Sequence, residues 1–513
     1  MKYCKYVLPL VLSAVLFIFP SMSFADVNKD FEQGRILYIA GNFEKALAYL
    51  KKPTLQNDPR ALYYLGAMYL DGNGVAKNKE QAESYFNKAK AMATQLIAQG
   101  DSVGMCAMAE MYLHGICIEQ NYKKAMDWYR KAADLGDSEA MVVIGALYSD
   151  GNGTPQDYKQ AMTWYKKSAE LGNAIAMNNI GYMYYEGNGV GQDFKQAMTW
   201  YKKAAQLGYA QAMSNIAIMY REGVGIQRDY RQAMDWYRKA ADLDDSEAMV
   251  SIGSLYLEGN GVQQDVKQAV NWYKKAADRN NTDGMVSFAA LCLQESNSTR
   301  QRIEESIKML KKAGDLGDAT GYIGLGRIYR DGIYVTKDYS EAVKWYKQAA
   351  ALGNPVAMFC IANIYSRNDT KFQQNYSEAM RWYEKAADLG DSDAMLYIGY
   401  MYSEGEGVAL NYATAIKWFQ KAAEHGNSEA MNNVGFFYEK GNGVTQDYKQ
   451  AMSWYRKAAE LGYGTAMANI GNMYENGTGV PQDYKQAKAW YRKAASLGDD
   501  YAAEKLKKLD NKY

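Results

Sequence analysis

The feature that most constrains this chain is the placement of its ten tryptophans. They stand at Trp128, Trp164, Trp200, Trp236, Trp272, Trp345, Trp382, Trp418, Trp454 and Trp490, in steps of 36 residues except for one of 37 and one of 73. The long step is 37 plus 36, with Met309 where the missing tryptophan belongs, and Tyr85 holds the same place ahead of the series. Unrelated domains would not keep such a register. It means one unit repeated, and a period of this length marks a helical array whose units bury their apolar faces only by stacking. The units are 58–100 (with seven extra residues), 101–136, 137–172, 173–208, 209–244, 245–280, 281–317, 318–353, 354–390, 391–426, 427–462 and 463–498.

The unit 173–208 serves as an example. Ala176, Met177, Ile180, Gly181 and Tyr184 recur at helical spacing, and Gly187-Asn188-Gly189 then breaks the helix, because glycine accepts positive φ and weakens helix interiors. Asp193 offers an N-cap with Gln196 three residues on, and Ala197, Trp200, Tyr201, Ala204 and Ala205 form the apolar stripe of a second helix that ends at Gly208. The cap place is filled in every unit but 281–317, which offers Arg302 instead. Three places break the pattern. Residues 94–100 lengthen the second helix of the first unit by about two turns, 281–317 loses tryptophan, cap and glycine loop, and 354–390 replaces its loop glycines by SRNDTKFQQN. A bend or softer joint is expected around 281–390.

These residues resemble the Sel1-like repeat, a relative of the tetratricopeptide repeat, in the pattern AMxxIGxxYxxGxGVxxDYxxAxxWYxKAAxxG, as in 427–462. The resemblance covers 58–498. It implies an all-α, right-handed solenoid of tandem helix-turn-helix repeats that acts as an interaction scaffold, of a kind exported in bacteria and also found in adaptors of the eukaryotic secretory pathway. Segment 26–57, with Tyr38, Gly41, Phe43, Ala46 and Tyr49, looks like a shorter tetratricopeptide-type helix pair that caps the N-terminal end, and 499–513 caps the other.

Residues 1–25 read as a secretory signal. Met1 to Lys5 is a short positive start, Val7 to Phe19 an apolar run of about 13 residues where a span needs about 20, and Ser23-Phe24-Ala25 a small-x-small cleavage site. Removal takes away Lys2 and Lys5, leaving 57 Lys+Arg against 58 Asp+Glu. A chain so near neutrality lacks the basic field that nucleic-acid or anionic-membrane binding draws on. The expected product is an exported monomer in the periplasm, outside the cell or on its surface, not inserted in a membrane and not bound to nucleic acid. Cys106, Cys117, Cys292 and Cys360 remain. Cys292 and Cys360 stand on first helices two units apart, roughly 20 Å at about 10 Å per helix layer, and Cys106 lies mid-helix with Cys117 in the loop at that helix's far end, so free thiols are expected.

Catalytic chemistry is hard to assemble from these residues. The two histidines, His114 in a loop and His425 beside a helix end, are too few for a triad or a multi-histidine metal site. The loop Asp150-Gly-Asn152-Gly-Thr154 lacks the acidic residue at position twelve of a calcium loop, where Ala161 stands. Glycine pairs such as Gly405 and Gly407 follow no strand, which argues for turns and against phosphate cradles. The tryptophans read as core. No catalytic, cofactor or metal residue is assigned.

Partner contacts are expected on the first helix, at places that vary from unit to unit: those of Asn178, Tyr182 and Tyr185, which share one stripe at i, i+4, i+7. By resemblance to tetratricopeptide proteins this stripe lines a concave groove. Packing does not dictate these residues, and the aromatic members make the best anchors. The candidate partner-binding residues are Asn178, Tyr182, Tyr185, Ile218, Tyr397, Tyr400 and Phe436, with Tyr182 and Tyr400 expected to be replaceable without loss of stacking. The function expected is a non-enzymatic scaffold for a protein or peptide, in host interaction or cell-envelope processes. Two alternatives stand beside it. One is a β-lactam-binding or β-lactam-hydrolysing relative, although the cysteine pair that this subgroup carries in each repeat is missing. The other is a lumenal adaptor of a eukaryotic secretory pathway, permitted by sequons at Asn297 and Asn375.

Overall fold

A computed structural model describes residues 30–31, 33–35, 37–38, 43–295, 299–367 and 373–512. The expected signal segment 1–25, the sequon Asn297 and residues 368–372 of the SRNDTKFQQN loop lie outside the described residues. Among the described residues all regular structure is helical. The chain forms two compact units, the first ending at Gln294 and the second beginning at Glu295. The division therefore falls inside the repeat 281–317, within the stretch where the repeat pattern breaks.

In the first unit the repeats alternate a helix A (Pro59–Asp71, Ser102–His114, Ser138–Asp150, Ala174–Glu186, Ala210–Glu222, Ser246–Glu258, Thr282–Gln294) with a helix B (Lys79–Ala98, Tyr122–Asp134, Tyr158–Glu170, Phe194–Gln206, Tyr230–Asp242, Val266–Ala277). Local chemistry fixes both ends of most of these helices, although Ala210–Glu222 begins at Tyr209 without a side-chain cap. Asn173 caps Ala174–Glu186 by accepting from the Ala176 amide, and the helix stops at Gly187 (φ 80°). Gln192 then donates from Nε2 to the Tyr185 carbonyl at 2.9 Å, closing the turn. Asp193 accepts from the amides of Lys195 and Gln196 to start Phe194–Gln206. The same glutamine tie joins Gln156 to Ser149 and Gln264 to Leu257. Cys117, in the place of a loop glycine, keeps its positive φ of 59°, so the turn is imposed by its surroundings at some cost in strain. The first helix B is 20 residues long against 13 for most others, which is where 94–100 goes.

The tryptophans are not the centre of the core, contrary to the sequence reading. Each is half-buried, and the fully buried ring is its neighbour: Tyr129, Tyr165, Tyr201, Tyr237 and Tyr273 in this unit. Helix A meets that ring with its glycine, and a methyl added at Gly181 would stand 2.7 Å from Cδ1 of Tyr201. The tryptophan, one residue further round helix B, has a lysine over its face: Lys203 Nζ lies 3.9 Å from the Trp200 ring centroid, and nine of the ten tryptophans share this arrangement. An indole carries an N–H that burial would have to satisfy, so it suits the edge of the core better than the middle.

The N-terminal segment packs into the same core. Phe31, Leu37, Ala46, Leu50 and Leu55 join Tyr64, Cys106 and Tyr129 in one buried cluster. Beneath it lies a fully buried ion pair, in which Arg60 donates from Nε to Asp58 Oδ1 at 2.8 Å and from Nη2 to Oδ2 at 2.5 Å, with its guanidinium 3.9 Å from the Phe31 ring centroid.

The second unit continues the alternation from helix B Arg300–Asp315 through Ala319–Asp331, Tyr339–Ala351, Pro355–Ser366, Tyr376–Asp388, Ser392–Glu404, Tyr412–Glu424, Ser428–Lys440, Tyr448–Glu460, Gly464–Asn476 and Tyr484–Ser496 to a last helix, Asp500–Lys512. Ala502 and Leu509 of that helix are buried against the cluster that contains Tyr491. One sequence expectation is corrected here. The cap of Arg300–Asp315 is Thr299, whose side chain accepts from the Arg302 amide, so Arg302 lies inside the helix and is not its cap. The helix starts a turn earlier than its counterparts, which moves the cap out of register.

Candidate binding groove

A groove of about 830 Å³ runs along the first unit, lined mostly by helix A side chains of five consecutive repeats, from Ala146 to Ser287. Its floor is polar. Asn178, Asn179, Gln211, Ser214, Asn215, Ser251 and Ser254 contribute amides and hydroxyls, Tyr182, Tyr209 and Ile218 contribute apolar surface, and Arg221 and Glu222 contribute a charged pair at 2.8 Å. Burial pushes the Tyr209 hydroxyl up to about 12, and burial also raises the carboxyl of Glu247, which accepts a 2.7 Å hydrogen bond from Asn281. No histidine, cysteine or lysine lines the groove. It offers hydrogen bonds and apolar contact to an extended ligand.

Three of the seven residues singled out from the sequence, Asn178, Tyr182 and Ile218, line this groove. Tyr185 does not, since its ring packs edge-on against Phe194 at 5.5 Å. Asn178 is buried, and its Oδ1 accepts from Asn215 Nδ2 of the next repeat at 2.9 Å; Ser214 likewise donates to Asp245 at 2.8 Å. The variable stripe is therefore partly spent on stacking, which the sequence reading did not foresee. A pair identical in kind, Asn469 to Asn432 at 2.9 Å, recurs in the second unit.

The remaining three candidates lie in the second unit. Tyr400 donates to Glu429 Oε1 at 2.6 Å and accepts from Asn433 Nδ2 at 2.8 Å, both in the following repeat. The expectation that Tyr400 could be replaced without touching stacking is thus corrected: its hydroxyl joins two repeats. Tyr397 and Phe436 are exposed. Tyr397 stacks on Tyr383 at 5.6 Å and meets Tyr400 edge-on at 6.1 Å, while Phe436 has Lys440 Nζ 5.6 Å from its ring. A second cavity of about 330 Å³ opens beside these tyrosines, walled by Tyr376, Tyr383, Tyr397 and Tyr400 and by Glu404, Glu406 and Glu429.

Sequence reasoning missed one polar cluster. His114 is the last residue of a helix, not part of a loop, and its Nε2 lies 3.0 Å from Oε2 of the buried Glu110. The two are one turn apart. Burial raises the Glu110 carboxyl against the pull of His114, and the hydrogen bond to Glu110 raises the His114 imidazole. Arg35 Nη2 of the N-terminal segment stands 3.9 Å from Glu139, so that segment meets the first repeats through charge as well as apolar packing. His425 sits at a helix C-terminus with Nδ1 3.0 Å from the Lys421 carbonyl. Among the described residues the cysteines form no disulfide, with Cys106, Cys292 and Cys360 buried and Cys117 exposed. Among the described residues no three of His, Cys, Asp and Glu come together as metal ligands, and no helix is long and apolar enough to cross a membrane.

The Sel1 repeat model matches at residues 59–93, 102–137, 138–173, 174–209, 210–245, 246–281, 289–318, 319–354, 369–391, 392–427, 428–463 and 464–499. No curated protein matches the chain. Among solved structures, a protective antigen present in uropathogenic Escherichia coli strains and displaying an SLR fold is 32% identical over 83% of this chain and 91% of its own, with a TM-score of 0.47. A Sel1 repeat protein from Oxalobacter formigenes is 27% identical over 68% of this chain and 90% of its own (TM-score 0.44), and one described as a putative Sel1 repeat protein from Klebsiella pneumoniae is 20% identical over 40% and 98% (TM-score 0.28). With twelve matched repeats spanning most of its length, the chain belongs to the Sel1 repeat family.

Proposed function

We propose that the protein is an exported, non-enzymatic scaffold that binds a polypeptide along the groove of its first unit. The observation that carries this reading is the groove itself: about 830 Å³, floored by amides and hydroxyls and edged by Tyr182, Tyr209 and Ile218. Backbone amides of an extended segment need partners when they leave water, and a row of Asn and Ser supplies them without dictating sequence. Export to the periplasm or the cell surface rests on residues 1–25.

The experiment is capture of partners from cell-envelope extract with the mature chain and with a Tyr182→Ala, Ile218→Ala variant. Loss of two anchors from the groove should weaken binding by about 1–4 kcal/mol, the range of interface hot spots. If the variant captures as well as the parent while substitutions at Lys202 and Lys203 on helix B abolish capture, the partner uses the other face and the groove reading is wrong. Mass spectrometry of the mature N-terminus tests export, since retention of residues 1–25 would refute it.

A further inference from the structure

The cavity of the second unit points to a narrower chemistry. Its walls come from helix B Tyr376–Asp388, helix A Ser392–Glu404 with the turn that follows it, and the first turn of helix A Ser428–Lys440. Tyr383 and Tyr397 stack with an interplanar angle of 23°, Tyr400 stands at 83° to Tyr397, and all three tyrosines line the cavity. Glu404, Glu406 and Glu429 add three carboxylates. Glu429 is oriented by the Tyr400 hydroxyl, and none of the three belongs to an ion pair among the described residues. No described lysine or arginine lines the cavity. Arg367, whose charge reaches Tyr383, lies beside the Tyr339 hydroxyl.

The rest of the chain shows what such a site lacks. On nine of the ten helices that carry a tryptophan, a lysine of the same helix covers the indole, as with Lys385 4.2 Å from Trp382 and Lys421 4.2 Å from Trp418. The tyrosine cavity has aromatic walls and, in addition, three carboxylates around about 330 Å³, with no lysine or arginine among the described residues that line it. A ring quadrupole attracts an ammonium or guanidinium, more strongly when water is excluded, and a carboxylate set without counter-charge favours the same guest. We propose that this cavity is the acceptor for a lysine or arginine side chain of the bound polypeptide. This rests on the reading of the protein as a polypeptide scaffold and adds what that polypeptide must carry.

The test uses the full mature chain and three probes followed by calorimetry: an alanine-rich peptide with one central lysine, the same peptide with that lysine acetylated, and n-butylammonium chloride. The lysine peptide should bind saturably, and acetylation should weaken it by about tenfold or more. Glu404→Gln with Glu406→Gln, both exposed residues, should leave the fold intact and weaken the lysine peptide by about tenfold, whereas Tyr182→Ala with Ile218→Ala in the first unit should not change it. Tyr397→Ala should weaken it comparably. Equal binding of the lysine and acetyl-lysine peptides, absence of lysine-peptide binding, or binding indifferent to the glutamine pair each overturns the proposal. If n-butylammonium binds as tightly as the peptide, the cavity serves small cations and the polypeptide assignment falls. If the lysine peptide is lost with Tyr182 and Ile218 but not with the glutamines, this site fails while the groove reading survives.

Discussion

Replacing Tyr201 by alanine should destabilise its repeat more than replacing the neighbouring Trp200, the reverse of what residue size suggests. Tyr201 is 2% exposed and lies under Gly181 of the facing helix. Withdrawing an aromatic ring that buries about 150–250 Å² removes roughly 4–6 kcal/mol of transfer free energy at about 25 cal/mol per Å². Part of this returns as the helices close on the cavity, and the measured cost of aromatic-to-alanine changes in cores is about 3–5 kcal/mol. Trp200 is only half-buried, and one face of its ring rests against the Lys203 stem and ammonium, which can stay in water without it. Its loss should cost about 1–3 kcal/mol, including about 0.5–1 kcal/mol for the cation–π contact. A repeat array opens locally, so a single unfolding midpoint is a poor readout. Hydrogen exchange resolved to helix Phe194–Gln206 and its neighbours Ala174–Glu186 and Ala210–Glu222 gives the local opening free energy directly. If Trp200→Ala accelerates exchange there as much as Tyr201→Ala, the assignment of tyrosine as the centre of each repeat is refuted.

Other outcomes follow from the same structure. Asp58→Ala strands the buried Arg60 guanidinium and removes an N-cap, and should cost about 3–5 kcal/mol in exchange measured over 43–71; an effect below about 1 kcal/mol would mean that water reaches Arg60. Glu110 and His114 both hold protons more tightly when folded, so they bind more protons in the native than in the unfolded chain and stability must fall as pH rises through their raised values. Between about pH 5 and pH 8, spanning the ordinary carboxylate and imidazole ranges, Glu110→Gln should flatten the decline in the melting of the first repeats, and an unchanged slope would reject this coupling. Alkylation of the denatured, unreduced protein should label Cys106, Cys117, Cys292 and Cys360, and two or fewer labelled sites would contradict the free thiols of the structure.

The fold was legible because each repeat writes its own punctuation twelve times over. Caps such as Asp193, paired glycines such as Gly187 and Gly189, and apolar stripes at helical spacing are local signals, and they need no tertiary information to be read. What stayed hidden depends on which face of helix B turns inward. Trp200 and Tyr201 are adjacent, and periodicity alone cannot rank two neighbouring aromatics; the glycine at 181 that receives the tyrosine ring was the signal available. The binding stripe was half legible for a related reason. Variation at Asn178 and Tyr400 implied freedom from packing, yet both bond to an asparagine of the next repeat, Asn215 or Asn433. Such contacts are specified by pairs and not by single positions. Glu110 and His114 escaped because a buried acid on a helix looks in sequence like any other polar residue.

The lysine over each indole also gives the protein an optical property. Nine tryptophans occupy nearly the same surroundings, with an ammonium 3.8 to 4.4 Å from the ring. Their emission should therefore behave as one dye present nine times, shifted and quenched alike. Trp345 is the exception: Gln348 stands where the lysine would be, its ring stacks on Tyr322 at 5.8 Å, and its indole nitrogen is buried. Against nine near-identical emitters this single residue supplies the minority component of the spectrum. Replacing Trp345 by phenylalanine would leave a uniform band, and keeping it while silencing the others would give the second unit a reporter of its own.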